Sequence, residues 1–78
     1  MTPNQASQAV WRGQGPPGIH RIDRPHLPGE QWHAHVAPGV GSVAVNQDGT
    51  WRHLPAGQQP PVLTNAQRDF LRSAGWNV

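Results

Sequence analysis

Nine glycines and nine prolines punctuate this chain of 78 residues, and they constrain its fold more than any other feature. Such frequent breaks allow only short strands and helices joined by turns, so order must come from a few large side chains. Trp11, Trp32, Trp51, Phe70 and Trp76 are the candidate anchors. The length supports one domain with one core. Without cysteine there are no disulfide staples and no thiolate zinc cage, so the core is expected to be marginal and to gain from a bound partner.

No apolar run approaches the length of a membrane span, and the first residues lack the basic-then-apolar pattern of a signal peptide. The expectation is a soluble protein with no membrane partner, in a cytoplasmic setting, and compatible with a module of a longer parent chain. All six basic residues are arginine, although the net charge is only +2. The planar guanidinium fork suits phosphate and carboxylate, which fits anion or nucleic-acid contact; arginine is also what GC-rich coding sequence favours.

Along the chain, Asn4 to Trp11 has room for two helical turns, and Gly13-Gln14-Gly15-Pro16-Pro17-Gly18 follows as linker. Residues 1–18 are therefore expected as a flexible N-terminal segment or linker and 19–78 as the single compact domain. Ile19 to Leu27, the type II turn dipeptide Pro28-Gly29 and Glu30 to Ala37 predict a first hairpin. After a break at Pro38-Gly39, the stretch Gly41 to Val45, the turn Asn46-Gln47-Asp48-Gly49-Thr50 and Trp51 to Leu54 predict a second. A helix over 65–74 is expected from the capping box of Thr64 and Gln67, the stripe Ala66, Phe70, Ala74 and the stop at Gly75. Its Arg68, Asp69 and Arg72 face outward, with Asp69 and Arg72 spaced to pair. The fold class expected is α+β, an antiparallel sheet of about four strands in two hairpins packed against one C-terminal helix.

Faces follow from pairing. If Leu27 and Glu30 close the first turn and the strands run regularly from it, Arg24 lies opposite His33 and Ile22 opposite His35. One face then carries His20, Ile22, Arg24, His26, His33 and His35. The other carries Ile19, Arg21, Asp23, Leu27, Trp32, Ala34 and Val36, with Arg21 and Asp23 as a local ion pair. Pairing Asn46 with Thr50 puts Val43, Val45, Trp51 and His53 together and leaves Arg52 for the histidine face. The expected core is Trp32, Val36, Val43, Val45, Trp51, Phe70 and Leu71, with His53 at its edge.

A sheet face bearing histidine and arginine supports three chemistries. In metal-independent RNA cleavage, one imidazole takes the ribose 2′-OH proton, another protonates the leaving oxygen, and arginine stabilises the phosphorane. His33 and His35 lead as acid and base, His20 assists, and Arg24, Arg52 and His26 contact substrate. No cofactor is needed for that reaction. Alternatively, His33-Ala34-His35 is an H-x-H on a strand that aims two imidazoles at one point, with His20 or His26 as a third ligand for zinc or another divalent ion. Glu30 is expected to face away from such a site. Thirdly, the histidines are solvent-facing residues of a non-catalytic binding or structural module.

The order Gly18–His26, Gln31–Val36, Val45–His53 and Leu63–Trp76, with its N-x-D-G-T turn, resembles the small C-terminal toxin domains of bacterial polymorphic and contact-dependent inhibition systems, many of them RNases. The resemblance spans about three quarters of the chain. It implies a compact RNase with RNA as substrate and a cognate immunity protein as partner, delivered into a target cell's cytoplasm.

Overall fold

The computed structural model describes residues 1–36 and 43–78, so the Pro38-Gly39 break, Ala37 and the Gly41-Ser42 strand start lie outside the described residues. The elements are α1 (Pro3–Trp11), β1 (Ile19–Asp23), β2 (His33–Val36), β3 (Ala44–Asn46), β4 (Trp51–Arg52) and α2 (Asn65–Ser73). Among the described residues the strands form one antiparallel sheet in the order β1-β2-β3-β4, the α+β arrangement expected of two merged hairpins with a C-terminal helix. No helix among them is long and apolar enough to cross a membrane.

Within the segment expected to be flexible, Pro3–Trp11 is a capped helix that joins the core. Thr2 accepts the Gln5 N–H at 3.1 Å and Gln5 Oε1 accepts the Thr2 N–H at 2.8 Å, the same device that opens α2. Ala6 is fully buried, and the Ser7 hydroxyl donates to the Ile22 carbonyl on edge strand β1 at 2.8 Å. Trp11 does not act as an anchor: it ends α1 on the outside, 88% exposed.

Helix α2 is capped by Thr64 and Gln67 as expected, and Gly75 leaves it at φ +99°, in the left-handed region. Its inward stripe is Gln67, Leu71 and Ala74 rather than Ala66, Phe70 and Ala74. Ala66 is exposed and Phe70 half-buried. A buried Gln67 is satisfied there because its amide also donates to the Pro17 carbonyl at 2.9 Å. Arg72 does not pair with Asp69 but donates to the Val78 carbonyl, and Arg68 donates to that of Leu63.

The helices cover one face of the sheet. Ile19, Ile22, Ala34, Val36 and Val45 from the strands meet Ala6, Leu71, Ala74 and Trp76, with Trp32, Trp51 and Phe70 partly buried against them. Val43 is half-buried. Each large aliphatic side chain removed from water contributes about 1.5–3 kcal/mol. Trp76 also satisfies its indole N–H on the Val45 carbonyl at 3.1 Å.

The second hairpin keeps the expected register, Val45 opposite Trp51 and Ala44 opposite Arg52. The first does not. Leu27 and Glu30 close their turn through Glu30 N–H to Leu27 O at 3.1 Å, with Gly29 at φ +85°, yet Asp23 pairs with His33 and Ile22 with Ala34. Residues 24–26 on one arm thus oppose only 31–32 on the other, so the ladder slips by one residue. Pro25 in the longer arm has no N–H to give the ladder, which fits an irregular stretch there. A one-residue slip exchanges the faces of β1: Ile22 turns into the core, and Arg21 and Asp23 join His33 and His35. A second irregularity between Ile19 and Arg21 lets Ile19 also reach the core and sets His20 outside.

Candidate metal centre

Adjacent strands β1 and β2 place Asp23, His33 and His35 on the sheet face away from the helices, and β4 adds Arg52. His33 and His35 are buried, at 4% and 6% exposure, with their rings edge to face at 5.6 Å between centroids. One ligand atom from each of the three residues lies within 4.8 Å of the others. Asp23 Oδ2 is 3.2 Å from His35 Nε2 and 3.8 Å from His33 Nε2.

The proton positions follow from the partners. His33 Nδ1 is 2.8 Å from the Gln31 carbonyl, which only accepts, so Nδ1 carries a hydrogen and, in the neutral ring, Nε2 is the nitrogen left with a lone pair for a metal. The Arg52 Nη1 contact with His33 Nδ1 at 3.3 Å is then an approach of two donors, not a hydrogen bond. His35 Nε2 lies between Asp23 Oδ2 and Arg21 Nη2, the latter at 3.3 Å, and its buried Nδ1 has no partner among the described residues in either tautomer. An unsatisfied buried polar atom costs about 1–3 kcal/mol. A domain this small keeps such a cluster at the expense of stability, which marks it as a functional candidate.

Arg21 and Arg52 frame the cluster differently. The Arg21 Nε–H donates to Asp23 Oδ1 at 2.8 Å, the expected local ion pair, but on the histidine face. Its side chain is 63% exposed. Arg52 is 25% exposed and is held by Glu30 Oε2 at 3.1 Å. Glu30 therefore does not face away: its other oxygen accepts the His26 and Leu27 N–H groups at 2.8 and 2.9 Å. Those two backbone hydrogen bonds, then Arg52, hold the Glu30 pKa down at about 2. At Asp23 burial opposes the charged form, but the Arg21 hydrogen bond and charge, aided by His35, outweigh it and hold the carboxyl below its ordinary value. Burial, then the Arg21 charge, lowers the His35 pKa against the pull of Asp23.

Of the residues singled out in the sequence, His33, His35 and Arg52 come together, and His20, His26 and Arg24 do not. His20 is exposed beside a small cleft with Ser7, Val10 and Trp11. His26 is exposed in the turn. The Arg24 guanidinium lies 5.9 Å from the Trp32 ring centroid, in cation–π range. His53 is exposed at φ +60°, outside the core edge where the alternation puts it. The sequence reasoning missed Asp23 as a site residue. Its signal was the Arg21-x-Asp23 alternation beside the H-x-H strand, which points to the site only once the slip is known.

Comparison with protein-family models, with curated proteins and with solved structures finds no match to this chain.

Proposed function

We propose that this domain binds a divalent transition-metal ion, zinc first among them, through Asp23 Oδ2, His33 Nε2 and His35 Nε2. The observation that carries the proposal is the approach of one carboxylate oxygen and two imidazole nitrogens, from two adjacent strands, to within 4.8 Å of one another. Donors about 2.0–2.1 Å from a tetrahedral ion stand roughly 3.3 Å apart. The separations of 3.2 and 3.8 Å from Asp23 bracket that value. The His33 Nδ1–H bond to a backbone carbonyl is the outer contact that fixes a ligating imidazole with Nε2 free for the metal. Two histidines and one carboxylate leave a fourth position open, as in catalytic rather than purely structural sites.

Calorimetric titration of chelator-stripped protein with zinc tests this. One equivalent should bind, and His33→Ala or His35→Ala should weaken binding by about 100-fold or more while the fold, read by circular dichroism, stays. Zinc affinity unchanged by both substitutions overturns the proposal.

A second reading is RNA phosphodiester cleavage by His33 and His35, with an immunity protein as partner. One observation favours it: Arg21 and Arg52 flank the two imidazoles, where they would meet a phosphate. It requires a histidine nitrogen to reach a ribose hydroxyl, and both rings are buried. RNA degradation that persists in EDTA and disappears in His35→Ala would favour this reading over the metal.

A further inference from the structure

Resting on the metal reading, we infer that Arg21 is a built-in counter-ion of Asp23 whose guanidinium, reaching His35 Nε2, has to swing away for a metal to bind, so that it sets the affinity of the site. Arg21 Nε lies 2.8 Å from Asp23 Oδ1, and its Nη2 lies 3.3 Å from His35 Nε2. One guanidinium thus engages two of the three candidate ligands. A dication bound there would meet that positive charge within a few ångströms on a site whose ligands supply a single negative charge.

The two flanking arginines are not equivalent. Arg52 is tied to Glu30, whose other oxygen is fastened to the backbone of the turn, and it approaches His33 on the Nδ1 side, away from the converging lone pairs. Arg21 has no such anchor among the described residues: its polar partners there are Asp23 and His35, and its side chain stands largely in solvent. Rotating it outward breaks, among the hydrogen bonds and ion pairs of the described residues, those to the ligands themselves. An arginine so placed favours the metal-free form and lowers the apparent metal affinity by the share of molecules in which it must be displaced.

The experiment is a calorimetric zinc titration of wild type, Arg21→Gln and Arg24→Gln. The second variant removes an exposed arginine that contacts Trp32 and no ligand, and so controls for net charge. Arg21→Gln should bind zinc at least about tenfold more tightly than wild type, and Arg24→Gln within about twofold of it. Nitrogen NMR of the Arg21 guanidinium should show the Nε–H losing its Asp23 bond as zinc is added. Equal affinity in wild type and Arg21→Gln, or weaker binding by the variant, removes the counter-ion role and leaves the metal site standing. Absence of zinc binding by all three proteins overturns the metal reading itself, and this inference with it.

Discussion

Both hairpins of the sheet are closed by well-made turns, but only in the second does the turn pass directly into the ladder. There Asn46 N–H bonds Thr50 O at 2.7 Å, Asp48 Oδ1 accepts both the N–H and the hydroxyl of Thr50, and Gly49 sits at φ +90°. The strand pairs follow immediately. In the first hairpin, arms of unequal length separate the Leu27–Glu30 turn from the first strand pair, and the mismatch decides which side chains of β1 meet the helices. A turn fixes register only where no slack lies between it and the strands. Here the slack brings Asp23 beside two histidines.

The difference can be broken at several points. The largest effect is expected at Ile22, which the slip places in the core. Ile22→Ala should cost about 2–5 kcal/mol in urea denaturation, whereas on the unslipped register it would be an open-face change worth under about 0.5 kcal/mol. Next come the turn glycines. A Cβ at Gly49 would lie 2.5 Å from the Asn77 carbonyl, so Gly49→Ala combines left-handed strain with a backbone clash and should cost about 3 kcal/mol. Gly29 shares the positive φ but has open space around it. Gly29→Ala should cost only about 1 kcal/mol. Equal losses at the two glycines would show that both turns are free, contrary to the packing of the second against the C-terminal tail.

The smallest effect is the pH dependence that the first turn contributes. Glu30 has its folded pKa lowered from 4.5 to about 2, so its stabilising contribution is full above about 4.5, declines as the pH falls below that value and is lost as the pH falls through about 2. A carboxyl-carbon NMR titration should give a Glu30 midpoint near 2, and Glu30→Gln should remove that residue's share of the stability change in that window. A midpoint near 4.5 would mean that the turn is not held by Glu30.

How much of this was legible in the sequence follows from the same contrast. The turn and register of the second hairpin, the type II turn at Pro28-Gly29, the α2 cap and the Arg21–Asp23 pair all rest on contacts between near neighbours, and all are read correctly. The first register depends on which of three intervening residues drops out of pairing, and alternation alone does not specify that. Consequently His33, His35 and Arg52 could be found as neighbours, while Asp23 was assigned to the apolar face and His20, His26 and Arg24 to the site. The inward stripe of α2 was missed because a glutamine satisfied by a distant carbonyl occupies a core position, where a polarity pattern expects alanine or phenylalanine. Helix α1 carries the same Thr-x-x-Gln cap as α2, at Thr2 and Gln5, so the sequence holds a start signal for it ahead of the Gly/Pro-rich run.

The most direct test of the central claim is long-range proton–nitrogen NMR of the five histidine rings during addition of zinc. One equivalent should move the Nε2 signals of His33 and His35 into the metal-bound range, leave His33 Nδ1 protonated, and not change His20, His26 or His53. Zinc that shifts those three rings instead, or leaves His33 and His35 unaltered, would contradict it.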